Sequence, residues 1–287
     1  MGNFQVKFPE GDVKKALSEN FTYTAMVKDV YSMMMRKMFL FLLLLPLLFT
    51  GRLAHAHRLW LNIHNDQPKI GQAVQIEIGW GHKFPKDKVI KEGFLDQVYT
   101  LDSRGVKIPL KQISPTEFEF VPAAKGAYSI LADIHPGFLS KTTEGYKLAP
   151  KTGLDNVVSC SRYDIRAKAF VSAGQKAKMP DQAIGDTLEI IPLTDTRNWR
   201  RGEIFPVKVL YDGKPLSSVD VRATYAGFSD QSNTFALTTR TDEKGVARIK
   251  MLEKGNWVVN IMNEVPYANT EKCDKYRYNS CFTFKVK

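Results

Sequence analysis

Apolar and polar residues alternate along most of the chain from residue 57 onward. The segment His57–Ile63 places Leu59, Leu61 and Ile63 on one face, and Val74–Trp80 repeats the same period of two. Such alternation predicts half-buried β-strands. Similar short runs, separated by turn residues, recur at 98–108, 117–121, 127–134, 188–193, 205–211, 219–225, 246–251, 257–262 and 282–286. This spacing predicts an all-β protein built from β-sandwiches.

The stretch 138–186 interrupts this rhythm, because it is rich in Lys, Gly, Ser and Pro. We expect a short helix or an extended connection around Ser161–Val171 and a linker at 174–186. The chain is therefore predicted to form an N-terminal β-sandwich domain at 57–173 and a C-terminal immunoglobulin-like domain at 187–287. About 100 residues is the usual size of an immunoglobulin-like sandwich.

The residues before position 57 have the features of a secretory leader. A basic pair precedes the apolar run Met38–Phe49, and Ala54 and Ala56 supply the small residues of a cleavage site. The run is shorter than the roughly 20 apolar residues that a spanning helix needs. We predict a cleaved signal peptide at 36–56 and a periplasmic or secreted protein, with an uncleaved signal anchor as the alternative. Residues 1–35 are interpreted as an upstream extension, since several methionines before the apolar run are alternative starts.

Charge and composition exclude several classes of function. The 287 residues carry a net charge of +11, and the chain remains basic after removal of the leader, which holds seven basic and four acidic residues. No helix-turn-helix, Arg-rich run or aromatic–basic RNA signature accompanies that charge, so no nucleic-acid partner is predicted. The sequence also lacks a Gly-x-Ser-x-Gly elbow, a phosphate loop and a His-Glu-x-x-His motif. We therefore expect a protein that is not an enzyme.

The three cysteines allow one disulfide in an oxidising compartment. Cys273 and Cys281 are close in sequence and can close a small loop. We predict a disulfide between them, with two free or metal-binding thiols as the alternative. Cys160 is then left over, and a buried inert thiol is its expected state.

Six segments of the chain are similar to one exported family. They are His57–Leu61, Ser161–Ala169, Leu188–Leu193, Pro206–Leu216, Thr241–Gly245 and Gly255–Trp257. In these segments the chain resembles the exported domain-of-unknown-function family described as the periplasmic component of cobalt/nickel ABC-type transport (NikM-like), over essentially all of 57–287. The second half also resembles carboxypeptidase-regulatory-like immunoglobulin modules. The resemblance implies a periplasmic, non-catalytic, two-domain β protein near metal uptake.

The histidines are the candidate metal ligands. Cleavage after Ala56 would leave His57 as the first residue, and its α-amine and imidazole can chelate one ion. His82 and His135 each follow a predicted strand, and strand-end loops are where β-sandwiches place binding residues. His64 ends the first strand and is the weakest candidate. We predict a metal site of His57, His82 and His135, with His64 as a further candidate.

Two functions are compatible with this sequence. The first is a periplasmic accessory protein that binds a divalent transition-metal ion and passes it to an inner- or outer-membrane transporter component. Nickel or cobalt is the expected ion, and copper and zinc remain alternatives because they accept the same nitrogen ligands. The second is a structural or adhesive immunoglobulin-like interaction module of the cell envelope that binds no metal. The chain has four histidines from residue 57 onward, which is an ordinary number for its length and does not by itself favour a metal site.

Overall fold

The computed structural model describes residues 57–174 and 183–287, which lie in one compact unit. The predicted leader at 36–56, the extension at 1–35 and most of the predicted linker lie outside the described residues. Over those two ranges the chain forms β-strands, a single-turn 3₁₀ helix at Thr196–Asn198 and no α-helix. The predicted all-β fold class is confirmed. None of the described helical structure is long and apolar enough to cross a bilayer.

The strands are numbered in chain order. They are β1 Arg58–Ile63, β2 Val74–Gly81, β3 Leu95–Leu101, β4 Lys107–Pro109, β5 Lys111–Gln112, β6 Glu117–Phe120, β7 Gly126–Ile134, β8 Gly137–Thr142, β9 Gly145–Lys147, β10 Val157–Ala173, β11 Leu188–Pro192, β12 Ile204–Tyr211, β13 Lys214–Pro215, β14 Asp220–Tyr225, β15 Leu237–Arg240, β16 Val246–Lys250, β17 Gly255–Pro266 and β18 Lys275–Val286.

The strands form three sheets. A four-stranded sheet has the order β1-β2-β6-β5, and a second small sheet joins β11, β12, β13 and β16. Between them runs a ten-stranded sheet of order β15-β14-β17-β18-β10-β7-β3-β4, to which β8 and β9 add beside β10. Its pairings are antiparallel except for β10 and β18, which run parallel from Ser161 opposite Lys275 to Ala169 opposite Thr283. The long strands β10 and β18 therefore form the centre of the molecule.

The ten-stranded sheet is buried on both faces, as the side chains of β10 show. Ile165, Ala167 and Val171 lie in a core shared with β1, β2 and β6. Phe170, on the opposite face, lies in a second core with the strands β11, β12 and β16. Successive residues of a strand point to opposite faces. The ten-stranded sheet thus contributes one layer to each of two β-sandwiches.

The short helix expected around Ser161–Val171 is wrong, because β10 continues through this whole segment. Its polar positions are compatible with a strand buried on both faces, since they find partners of opposite charge. The Lys168 ammonium donates to Glu189 at 2.7 Å, and Arg166 pairs with Asp186. The extended alternative for this connection is the one that the structure has.

The predicted disulfide between Cys273 and Cys281 is also wrong. Cys273 is bonded to Cys160, with the two Cα atoms 5.0 Å apart. Cys281 lies six residues along β18 from Lys275, so at about 3.3 Å per residue it is roughly 20 Å beyond the start of that strand. Disulfide-bonded Cα atoms are about 4.4–6.8 Å apart. Cys281, and not Cys160, is the buried free thiol.

The division of the chain into domains at 57–173 and 187–287 stays a prediction. Strands from both sides of the proposed linker share the ten-stranded sheet, through the pairing of β10 with β18. The Cys160–Cys273 disulfide joins β10 to the residues just before β18. A disulfide in this position indicates an oxidising, exported environment.

Candidate functional site

The register of the first two strands brings His57 and His82 together. In the antiparallel ladder Arg58 lies opposite Gly81, so the residues just outside each strand end are also neighbours. The two imidazole rings have centroids 4.3 Å apart, with their planes at 33°. The ring of His57 also stacks on Trp80, with a centroid distance of 5.0 Å and an interplanar angle of 9°.

Two glycines make this arrangement sterically possible. A Cβ at Gly79 would lie 1.8 Å from Nε1 of Trp60, so only glycine lets that buried indole cover the strand. Gly81 has a φ of +134°, and a Cβ there would lie 2.3 Å from a carboxylate oxygen of Asp87. Glycine accepts positive φ values that other residues rarely adopt. The sequence Gly79-Trp80-Gly81-His82 is thus shaped by packing on both sides of Trp80.

His82 is held by neighbours at its backbone N–H, its carbonyl oxygen and its ring atom Nδ1. Its backbone N–H donates to Oδ2 of Asp87 at 2.6 Å. Its carbonyl oxygen accepts from the backbone N–H of Asn233 at 2.9 Å and from the guanidinium of Arg58. Its ring atom Nδ1 lies 3.1 Å from Oδ1 of Asn233. These contacts fix both the backbone and the ring of His82.

Both histidines are neutral at neutral pH. Burial, together with the nearby His82 and Lys88, lowers the pKa of His57 to about 4. Burial also lowers the pKa of His82, helped by Arg58 and opposed by the hydrogen bond to Asn233. A neutral imidazole retains one nitrogen lone pair, which is the form that binds metals.

Charge around the pair is dominated by cations. Arg58 is buried, and burial lowers the pKa of its guanidinium. For Asp87, burial would raise the pKa of the carboxyl, but backbone donors at His82 and Lys83 bring it below its usual value. Asp87 is therefore ionised, and it offsets part of the surrounding positive charge.

The structure does not bring His135 or His64 to this pair. His135 follows β7, where Nδ1 lies 3.1 Å from Oδ1 of Asp96 in an exposed pair. His64 is exposed at the other end of β1 from His57, about 23 Å away for seven residues of strand. Within 57–174 and 183–287 no three His, Cys, Asp or Glu side chains are grouped to hold a metal ion. The expected convergence of His57, His82 and His135 is not found.

Sequence reasoning missed Asn233, Arg58 and Asp87 as neighbours of His82. Arg58 follows His57 in an alternating strand, where the sequence pattern indicates only that it is a polar position. Asp87 lies five residues after His82, within reach of an ordinary turn, and was open to prediction. Asn233 lies 151 residues away in the loop between β14 and β15, and no local pattern indicates the contact.

Comparison with known proteins gives one family match. A family model described as "Domain of unknown function (DUF4198)" matches residues 54–265. A comparison with curated protein sequences gave no match.

Among solved structures, the chain is similar to domains D0–D1 of intimin, at 13% identity and a TM-score of 0.22, with 80% of this chain and 99% of that one covered. Fibronectin(III)-like modules of Clostridium thermocellum CbhA match at 11% identity and a TM-score of 0.19, with 79% and 94% covered. Murine CEACAM1b matches at 8% identity and a TM-score of 0.21, with 81% and 99% covered. At this level the similarities carry no argument about the site.

Proposed function

Since the chain belongs to the DUF4198 family of domains of unknown function, we propose its function from the site: an exported accessory protein that binds divalent nickel or cobalt at His57 and His82 for an envelope uptake system. The metal is cargo in this proposal. The supporting observation is the juxtaposition of two neutral imidazoles, with ring centroids 4.3 Å apart, at the edge of the four-stranded sheet β1-β2-β6-β5, called the first sheet below.

The third ligand in this proposal is the α-amine of His57. Two imidazoles alone make a weak site, and no described acidic side chain completes a group of three with them. Cleavage of the predicted signal after Ala56 would place an amine on the same residue as one of the imidazoles. Amine and imidazole nitrogens suit nickel, copper and zinc, and cobalt accepts them with lower affinity.

Such a site would suit an ion that has to be released. Three nitrogen donors leave coordination positions open for water or for a ligand from a partner. Arg58 and Lys88 act electrostatically on His57 and disfavour the binding of a dication. Both properties favour moderate affinity and exchange over permanent retention, as transfer to a transporter component requires.

Calorimetric titration of the exported protein tests the proposal. Mass spectrometry first verifies that its N-terminus is His57, and Ni(II), Co(II), Cu(II) and Zn(II) are then titrated separately. A variant with one extra Ala before His57 and the variant His82→Ala are each expected to lose at least about ten-fold in nickel affinity. His135→Ala is the matched control and should bind as the unmodified protein does.

Two results would contradict the proposal. One is a dissociation constant for nickel and cobalt no tighter than about millimolar, which corresponds to about 4 kcal/mol. The other is equal affinity with and without the extra Ala, which would remove the α-amine from the site. If the protein binds copper but neither nickel nor cobalt, the site is supported and its proposed ion is wrong.

The second candidate is a structural or adhesive module of the envelope that binds no metal. The observation in its favour is the all-β immunoglobulin-like fold, which such modules share. It predicts a thermal unfolding temperature that does not respond to divalent ions, because a ligand stabilises only the state that binds it. A rise in that temperature with nickel would favour the metal-binding protein instead.

A further inference from the structure

A loop from the far part of the chain is docked on the His82 segment. The loop connects β14 to β15, and its residue Asn233 contacts His82 with both its main chain and its side chain. Arg58 stacks over the ring of Phe235 in the same loop, with 4.6 Å from its guanidinium carbon to the ring centroid. The loop therefore reaches the candidate metal site at more than one place.

The backbone of Asn233 has the conformation that this double contact needs. Its φ is +59°, in the left-handed region, where Asn and Gly are the most tolerant residues. In this conformation its N–H lies 2.9 Å from the carbonyl oxygen of His82, and its Oδ1 lies 3.1 Å from Nδ1. The two contacts fasten the ring and the main chain of one residue to one partner.

The chemistry of the side-chain contact determines which ring nitrogen is free. An amide oxygen can only accept a hydrogen bond, so Nδ1 of His82 has to donate its proton. The lone pair of the neutral imidazole is then on Nε2. We propose that Asn233 is a positioning residue of the metal site, which holds His82 in the Nδ1–H tautomer and so makes Nε2 the nitrogen offered to a divalent nickel or cobalt ion.

This inference rests on the proposed function for the identity of the ligand. Histidines that bind metals usually donate their other ring N–H to an oxygen acceptor, and loss of that acceptor typically lowers metal affinity 10–100-fold. Asn233 supplies such an acceptor from a different part of the chain. The site would then depend on the docked position of the β14–β15 loop as well as on the first sheet.

Two substitutions at one position separate the side-chain contact from the backbone contact. Asn233→Gly keeps the N–H donor and tolerates the positive φ, but it removes the acceptor oxygen. Asn233→Asp keeps an acceptor oxygen. Asp230→Asn is the matched control, because Asp230 is an exposed residue of the same loop and its carboxylate faces Lys83, at 4.0 Å, instead of the ring of His82.

The first measurement is the tautomer of His82 in the metal-free exported protein, from the ¹⁵N chemical shifts of its ring. The unmodified protein, Asn233→Asp and Asp230→Asn are expected to show the Nδ1–H form, and Asn233→Gly a mixture of both forms. The second measurement is titration with nickel(II) chloride. Asn233→Gly should bind at least ten-fold more weakly, while Asn233→Asp should bind at least as well as Asn233 and Asp230→Asn should be unchanged.

An Nε2–H tautomer in the unmodified protein would overturn the inference. So would unchanged nickel affinity in an Asn233→Gly protein that has lost the Nδ1–H form. Failure of the proposed function has a different signature. If the tautomer depends on Asn233 but no variant binds nickel, cobalt or copper, the positioning contact is retained and its metal role is refuted.

Discussion

The Cys160–Cys273 disulfide closes a long loop, and this makes a quantitative prediction about stability. The bonded cysteines are separated by 113 residues. In the chain-entropy treatment, a loop of this length restricts the unfolded chain enough to stabilise the fold by about 4.8 kcal/mol. The loop expected from the sequence, between Cys273 and Cys281, would contribute only about 2.5 kcal/mol by the same relation.

The perturbation is the double variant Cys160→Ala with Cys273→Ala, which removes both thiols and leaves no unpaired partner. Urea unfolding should show a loss of up to about 4.8 kcal/mol, and the thermal midpoint should fall by roughly 10 to 20 °C for a protein of this size. A reductant should destabilise the unmodified protein by a similar amount and have no further effect on the double variant.

Cys281→Ala is the control for loss of a buried sulfur. Cys281 is fully buried beside Trp60, Phe84 and Val258, so its truncation has a packing cost but opens no loop. Its stability should still fall on addition of reductant, by the full amount expected for the long loop. Proteolytic mapping without reduction should recover the Cys160 and Cys273 peptides as one linked product.

Two outcomes would refute this reasoning. Recovery of a linked Cys273–Cys281 peptide would show that the bond follows sequence proximity. A double variant within about 1 kcal/mol of the unmodified protein would show that the unfolded chain is already restricted, or that native strain cancels the entropic gain, as happens with some disulfides.

Three further predictions concern buried groups. Gly79→Ala should lower the free energy of unfolding by about 1–3 kcal/mol in urea titrations, because its Cβ would overlap the indole of Trp60. Glu189→Gln should cost about 3–5 kcal/mol in the same assay, since it removes the carboxylate that pairs with the buried ammonium of Lys168 at 2.7 Å; an unchanged midpoint would argue against a buried ion pair. Burial raises the pKa of Asp133 to about 6. The stability contributed by the protonated carboxyl is therefore fully present below about pH 4 and is lost as the pH rises through 6, by up to about 3 kcal/mol. Asp133→Asn should remove this part of the pH dependence, measured as the difference in free energy of unfolding from the unmodified protein.

Part of the candidate site could be predicted from the sequence, for a local reason. His57 and His82 flank two strands that are consecutive in the chain and show clear alternation, and consecutive strands usually pair. Their placement at strand ends therefore brought them together. The same reasoning failed for His135, because β7 belongs to the ten-stranded sheet, whereas β1 and β2 belong to the four-stranded sheet. Strand ends alone do not identify the sheet.

The features that the sequence could not predict all depend on the parallel pairing of β10 with β18. That pairing joins residues more than 100 positions apart, and it places Cys160 beside the residues that lead into β18. It also explains the misinterpreted segment at Ser161–Val171. A strand covered on both faces needs its charged residues neutralised in place, and Lys168 is neutralised by Glu189, a residue of β11.

The docking of the β14–β15 loop follows from the same pairing. In the ten-stranded sheet β18 lies between β10 and β17, and β14 lies on the far side of β17. The pairing of β10 with β18 therefore places β14 in the same sheet as β10 and β7, which face the core that β1, β2 and β6 cover. Trp60 of β1 packs with Val258 of β17 and Cys281 of β18, so the first sheet packs against strands from the second half of the chain. That contact carries the start of β1 to the β14–β15 loop, where Asn233 meets His82. An isolated 57–173 fragment would lack this contact, so His82 should lose its fixed tautomer there even if the first sheet formed.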